Sequence, residues 1–563
     1  MKNFEDCFIL ALAFFGLLFS GCSGNKIQPQ NSGEPLQPAI VKSQGQTPGD
    51  DFALSPAYGD TIIESSMSDA VIINPLLNPD TSSGRIIGLV FNGLVRTNEN
   101  LEFVPDLAET WEVLSQGLHL RFHLKKGVRW HDGVSFTAHD VLFTYQKVID
   151  ENTQTYDAES FTPVRSVEVE DEFTVSVYYD KPFAPALSAW TMGIIPRHLY
   201  QNEDINTSRY NLSPVGTGPF RFTVWTPQEQ IILEANADYF LGRPYTDRFI
   251  FKTMPDPSMA FLSLKREEID MLGLTPDQYD KQAHAPEFIS RFNLYKYATM
   301  NYTYIGFNLL KPMFQDKRTR QALAMITDRQ GIIDGILYGH GKLISGPFTP
   351  DHWAYDKSIQ PYPFDPQKAR ELLSEAGWID TNNDGVLDKD GIPFELTLTT
   401  NQGNEPRKLV ANLIQQQWKE AGVRVKLSFV EWSVFMDVCD FRTFDAVILG
   451  WSLSAEPDHY GAWHSSQMPD KANGIVGDNF VSYSNPEVDR LIEEGRTTFD
   501  MEKRKAVYHR FHAILHDEQP YIFLYVADAL SAVHNRIHGI KPAPAGIRYN
   551  FESWYVPKEL RKY

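Results

Sequence analysis

Residues 394–452 read FELTLTTNQGNEPRKLVANLIQQQWKEAGVRVKLSFVEWSVFMDVCDFRTFDAVILGWS. Phe394–Thr400 alternates apolar and polar residues, which predicts a strand with one covered face. Asn401-Gln402-Gly403-Asn404 then turns the chain. Leu409, Leu413, Ile414, Trp418 and Ala421 recur at helical spacing, and Gly422 stops the helix. Val423, Val425, Leu427 and Phe429 alternate as a second strand, and a short amphipathic piece spans Val434–Val438. Ala446-Val447-Ile448-Leu449 is apolar throughout, as a strand buried on both faces should be. The order is β-α-β-α-β, and right-handed crossovers make the three strands parallel, so the fold class is α/β.

In sheets of this kind the residues just beyond the carboxyl ends of the strands line a ligand crevice. Those are Asn401 and Gln402, then Glu431 and Trp432, then Gly450, Trp451 and Ser452. Two tryptophans at successive strand ends point to a binding cleft rather than to packing alone. Trp463, Tyr483 and Asn485 are assigned to the same wall. Upstream, Asp365 caps a helix, Pro366 takes its first turn, Leu372 and Leu373 face inward and Gly377 ends it. Next, Asp380 to Asp388 places oxygen-bearing side chains at alternating positions around Gly385, like the start of a calcium loop. Position 12 of that pattern is Gly391, where such a loop needs a bidentate Glu, so the reading is an Asx-rich turn.

Toward the N-terminus the pattern changes to short antiparallel strands. Leu118–Leu124 and Val167–Tyr178 alternate, Gly127 and Asp132-Gly133 supply turns around Trp130-His131, and Thr137 caps a helix with Asp140 in its first turn. His131-Asp132 has no nucleophile beside it and reads as part of a capped turn. Gly216-Thr217-Gly218-Pro219-Phe220 leads into a further strand. Elsewhere Gly341-Lys342-Leu343 lacks the residues of a phosphate loop, and there is no nucleophile elbow, paired-His zinc helix or Cys pair. His459 and His464 are too weak a pair to suggest a metal. No catalytic residue, cofactor or metal is expected.

The chain begins with an apolar run, Cys7 to Phe19, too short to span a bilayer, followed by Ser20-Gly21-Cys22. That is an export signal (residues 1–21) ending in a lipobox-like cysteine, with Cys22 as the lipidation site and new N-terminus. From Ser23 to Asp51 the chain is rich in Gln, Pro, Ser, Gly and Asn, a tether with a coil reach of about 30 Å. Net charge is −20, and an acidic body argues against nucleic acid or broad docking on anionic lipid. With no thiol left to pair with Cys439 after processing, no disulfide framework is expected. The body is too large for a single core, so two or three lobes are expected.

Together these segments resemble family 5 of the bacterial extracellular solute-binding proteins, which serve peptide, dipeptide and nickel ABC importers. The resemblance runs from about residue 58 to the C-terminus. It is carried by Phe103–Trp111, Trp130-His131-Asp132-Gly133 with Thr137–Val141, Gly216–Phe220, Asp238-Tyr239-Phe240, Phe307-Asn308, Arg320–Leu323, Glu375–Trp378 and Asn485–Asp489. It implies a two-lobe periplasmic-binding-protein fold of the large type II class, hinged by two crossing strands, with the ligand cleft between the lobes. Lobe I would cover 58–309 with an extra subdomain at about 101–215, lobe II 310–527, and 528–563 would return to lobe I, behind a lipidated tether at 22–57. The implied partners are a small peptide, gripped mainly by its backbone, and an ABC permease with its ATPase subunits. The membrane is touched only through the lipid, facing the periplasm or cell exterior, and the protein is a monomer that binds no nucleic acid. Ligand contacts are expected from Asn308, Asn401, Gln402, Trp432, Gly450, Trp451, Ser452, Ser454 and Trp463. Several peptide binders of this family hold the ligand's amino group with an aspartate shortly after the Gly-Trp pair; here Ser454 stands at or beside that place, which leaves the anchor open. Alternatives within this fold are nickel chelates or oligosaccharides, or peptide sensing without transport; a different class is a surface hydrolase using Glu431, Asp458 or a nearby His.

Overall fold

The computed structural model describes residues 54–563 apart from 79, 156 and 471–476, together with the backbone of Ala39–Val41. The signal segment, Cys22 and most of the tether lie outside the described residues. Within the tether stretch, Ala39–Val41 forms a short strand antiparallel to Phe292–Ala298.

The βαβ region forms as its pattern dictates. Strand Glu395–Asn401 lies between Arg424–Val430 and Ala446–Ser452 and is parallel to both. Helix Glu405–Glu420 begins where the Asn404 side chain accepts the Arg407 N–H at 3.1 Å. It buries Val410, Ala411, Ile414 and Trp418, and the Trp418 indole N–H donates to Thr327 Oγ1 at 3.0 Å. The amphipathic piece is a helix, Trp432–Asp440, capped by Glu431. From the central strand the chain goes first to one neighbour and later to the other, so the connections part above Asn401 and Gly450, the usual position of a crevice.

Ala446–Ser452 continues the sheet antiparallel to Asn301–Phe307, which pairs in turn with the first part of the long strand Tyr521–His534. The second part of that long strand pairs with Phe292–Ala298 and with Met271–Gly273. Beyond it lie Thr61–Ser66, Arg248–Thr253, Gln230–Ala235 and Phe220–Thr226. The ladder therefore changes partners at Thr299-Met300 and around Val526-Ala527, and the first crossing falls N-terminal to position 309.

The cores divide at the same crossings. Two clusters, one around Trp130, Trp190 and Trp554 and one around Phe261 and Phe288, draw only on residues 62–297 and 530–556. Two others, around Trp418 and around Trp463, draw only on residues 302–527. Burial of apolar surface is the main stabilising term in folding, so four cores that never mix across two crossings make two lobes on a hinge.

In the first lobe a four-stranded antiparallel sheet, in the order Ala108–Leu114, His119–Leu124, Thr174–Tyr179, Val164–Asp171, packs with helix Ala138–Val148 as a subdomain. Leu120, Phe122 and Leu124 alternate inward as read, and the Thr137 N–H donates to Asp140 at 2.9 Å. His131 is structural: its Nδ1 accepts from Gly216 N–H at 3.2 Å and its Nε2 lies 2.9 Å from the Gly218 carbonyl. Burial pushes its pKa down to about 4. Gly216 and Gly218 are required by close approach, because a Cβ there would lie 1.8 and 2.5 Å from the carbonyl oxygens of Val90 and Leu89. In the 380–388 turn, Asp380 accepts from Asp384 N–H at 3.2 Å and Gly385 N–H at 3.0 Å, and Asp388 accepts from Thr381. Those oxygens are occupied by backbone amides, as in an Asx-rich turn.

Candidate functional site

A cavity of about 470 Å³ lies between the lobes, walled by Phe91, Asp157, Phe161 and Phe183 of the first and by Ser454, Glu456 and Asp458 of the second. A second cavity of about 290 Å³ shares Glu159, Ser160, Ser454, Glu456 and Asp458 with it. It runs on to Trp451, Ser452, Phe348, His459 and Asp478. The shared wall makes them one cleft, seated on the loop that leaves strand Ala446–Ser452.

Trp451 is held for this position. Its ring stacks parallel to Tyr304 at 6.4 Å and to Phe480 at 5.9 Å, and its indole N–H reaches Tyr521 Oη at 3.4 Å. Gly450 lets the strand pass close to its neighbour, since a Cβ there would lie 2.8 Å from the Tyr302 carbonyl oxygen and 3.0 Å from an Arg407 nitrogen. Ser452 and Ser454 line the cleft, and the Ser454 hydroxyl donates to the Glu456 carbonyl at 2.6 Å.

The other sequence-derived candidates are placed elsewhere. The Asn401 side chain accepts from Arg407 at 2.9 Å, and Gln402 is exposed, its N–H donating to the Val430 carbonyl at 2.7 Å. Trp432 opens its helix with 46% of its surface exposed, its ring 5.9 Å from Phe435. Trp463 is fully buried in the aromatic core, 4.4 Å from Tyr521 and 5.7 Å from Tyr483, because its short helix turns that face inward. The Asn308 amide donates to the carbonyls of Arg442 at 2.8 Å and Phe444 at 2.9 Å, tying two segments of the second lobe together. Neither Trp463 nor Asn308 lines the two cavities.

Ion pairs set the electrostatics. Arg504 pairs with Glu456 behind the wall, both nearly buried. Arg496 bridges the lobes, with a nitrogen 2.6 Å from Glu159 of the first lobe and its Nε 3.1 Å from Asp458 of the second. Its carbonyl accepts from Ala184 N–H at 2.7 Å, and its guanidinium lies 4.2 Å from the Tyr460 ring and 5.0 Å from the Phe183 ring. Asp157 and Asp478 have no side-chain hydrogen bond or ion pair among the described residues. Desolvation by the surrounding protein pushes half-buried Asp157 up to about 6; it does the same at Asp478, with Asp440 adding to the effect, although that side chain keeps an exposed edge. Burial likewise lowers His352 to about 4 and His459 to about 3, so both imidazoles are neutral at pH 7.

A carboxyl group whose pKa is raised on folding holds more protons in the native state between its unfolded value and about 6, so its contribution to stability falls as pH rises through that window. Asp157→Asn is therefore expected to raise the denaturation midpoint at pH 7 and leave it unchanged at pH 4. Urea melts at the two pH values measure this.

Comparison with known proteins places the geometry. The family model for bacterial extracellular solute-binding proteins, family 5, middle, matches residues 102–473. The oligopeptide-binding protein AppA of Bacillus subtilis (strain 168) is 34% identical over 98% of both chains. The structure of AppA from Bacillus subtilis in complex with a nonapeptide superposes with a TM-score of 0.81 at 33% identity, covering 90% of this chain and 100% of that one. NikZ from Campylobacter jejuni in complex with Ni(L-His) gives 0.80 at 30% identity, covering 88% and 99%. With cores divided between two lobes, a hinge at two crossings and a walled cleft between the lobes, this chain belongs to the bacterial extracellular solute-binding proteins, family 5.

Proposed function

We propose that this protein captures oligopeptides in the interlobe cleft and delivers them, unaltered, to an ABC permease served by ATPase subunits. The observation that carries the reading is the cleft itself, with Trp451 on one lobe facing carboxylates contributed by both, in a chain similar end to end to an oligopeptide-binding protein. Export and anchoring through a lipid on Cys22 complete the proposal, with the body working as a monomer at the outer face of the membrane. The two carboxylates a hydrolase would use have structural work. Glu431 accepts from Ser433 N–H at 2.8 Å as a helix cap, and Asp458 holds Arg496.

A guest between the lobes adds contacts only when they are closed, and so shifts the equilibrium toward closure. The Arg496–Glu159 bridge belongs to that closed form. Arg496→Met is expected to open the free protein and weaken peptide binding about tenfold, the scale of partly exposed ion pairs plus lost ring packing. Small-angle scattering would show a larger radius of gyration for the variant without ligand and recovery on saturation.

The reading is tested by calorimetry with pentapeptides and nonapeptides alongside nickel–histidine and cello-oligosaccharides, followed by mass spectrometry of the recovered ligand. Saturable peptide binding with intact recovery is expected. Binding of nickel–histidine alone would favour a chelate receptor, and shortened peptides would favour a hydrolase.

A further inference from the structure

The cleft has a charge that the ion pairs do not neutralise. Asp157, Glu159, Glu456, Asp458 and Asp478 line it, and among the described residues no Lys or Arg stands in the lining of either cavity. Arg496 and Arg504 approach from behind, and they satisfy Glu159, Asp458 and Glu456. Asp157 and Asp478, which come from opposite lobes, have no partner among the described residues.

A second observation points to a guest. His459 is only 7% exposed and lines the same cleft, yet its Nε2 has no hydrogen-bond partner among the described residues. A buried polar atom without a partner is uncommon unless something outside the chain supplies one. A neutral imidazole beside carboxylates also suits a cation, since it adds no competing positive charge.

Resting on the peptide-capture reading, we propose that the cleft selects basic peptides, with Asp157 and Asp478 receiving cationic groups of the ligand from the two lobes at once. A lysine or arginine ammonium or guanidinium supplies the donors that these carboxylates lack; at half-buried Asp157 the attraction is stronger than at an open surface, while at exposed Asp478 water screens part of it. An acidic peptide meets the opposite situation, because like charges brought together in a desolvated site are strongly unfavourable. Because the two aspartates lie on different lobes, a ligand with two positive charges also holds the lobes together. Basicity and closure are thereby linked.

The test compares three pentapeptides by calorimetry at pH 7.5: Ala-Lys-Ala-Lys-Ala, Ala-Ala-Ala-Ala-Ala and Ala-Glu-Ala-Glu-Ala, with spermidine as a cation that has no peptide backbone. The lysine peptide is expected to bind about 100-fold more tightly than the glutamate peptide, with the alanine peptide between them. In Asp157→Asn/Asp478→Asn the ratio should fall below about fivefold. Either single variant, checked for folding by circular dichroism, should give an intermediate ratio and serves if the double variant does not fold. Equal affinity for the three peptides, or preference for the glutamate peptide, would overturn the basic selectivity while leaving peptide capture intact. An undiminished ratio in the folded double variant would overturn the role of these two aspartates. Binding of spermidine with no peptide bound would instead overturn peptide capture and keep the cation preference, and binding of neither would end both.

Discussion

Arg536→Met is expected to lower the unfolding free energy of the first lobe by about 3–5 kcal/mol, the cost of removing one member of a buried charge network. Arg536 is 2% exposed and its nitrogens lie 2.5 Å from Asp60 and 2.6 Å from Asp270, both also buried. The nitrogen beside Asp270 also donates to the Thr61 carbonyl at 2.7 Å. Asp60 also accepts from the backbone N–H groups of Lys562 at 3.2 Å and Tyr563 at 3.0 Å. The network thus ties the start of the lobe to the segment that returns from the long crossing strand. Methionine would leave two carboxylates buried without their counter-charge. Hydrogen exchange should show protection lost across residues 60–298 and 528–563 and kept across 301–525, whose cores share no residue with the first lobe. Uniform loss in both lobes would argue against two independently packed lobes.

Trp451→Ala is expected to weaken peptide binding about 30- to 100-fold, mostly through faster dissociation. The indole faces the cleft and is held flat between Tyr304 and Phe480, so it offers area to a ligand with little ordering cost. The hole left in that stack would also loosen the cleft floor. Trp432→Ala should change affinity for a pentapeptide by less than about threefold, since that ring stands outside both cavities. Surface plasmon resonance on the two variants separates these outcomes, and equal losses would place the guest across both strand ends.

Local pattern made the second lobe readable. Alternation in Phe394–Thr400 and Val423–Phe429, the apolar run Ala446–Leu449 and the helical spacing between them depend only on neighbours within one element, and the parallel register follows from chain connectivity. The place of Trp451 at the cleft was legible for the same reason, as a large ring near the carboxyl end of a buried strand. Trp463 shows the limit of that logic. A tryptophan near a cleft in sequence can equally close a core, and which it does depends on the direction of a one-turn helix. Asn308 behaves similarly, since its amide is consumed by two backbone carbonyls that sequence does not bring near it.

The acidic character of the cleft had no local signature. Asp157 sits before a one-turn helix of the first lobe and Asp478 on a loop of the second, and only closure of the lobes faces them toward one space. Arg496 reads in sequence as a basic residue in the last turn of a helix, which is favourable on its own account. Its bridge to Glu159 exists only in the folded, closed protein.

A crystal structure of the protein with Ala-Lys-Ala-Lys-Ala bears most directly on how the two lobes hold a guest. The expected result is continuous peptide density enclosed between them, running along Trp451 with an ammonium within hydrogen-bonding distance of Asp157 or Asp478. Peptide bound on an outer face, with the space beside Trp451 filled by water alone, would contradict it.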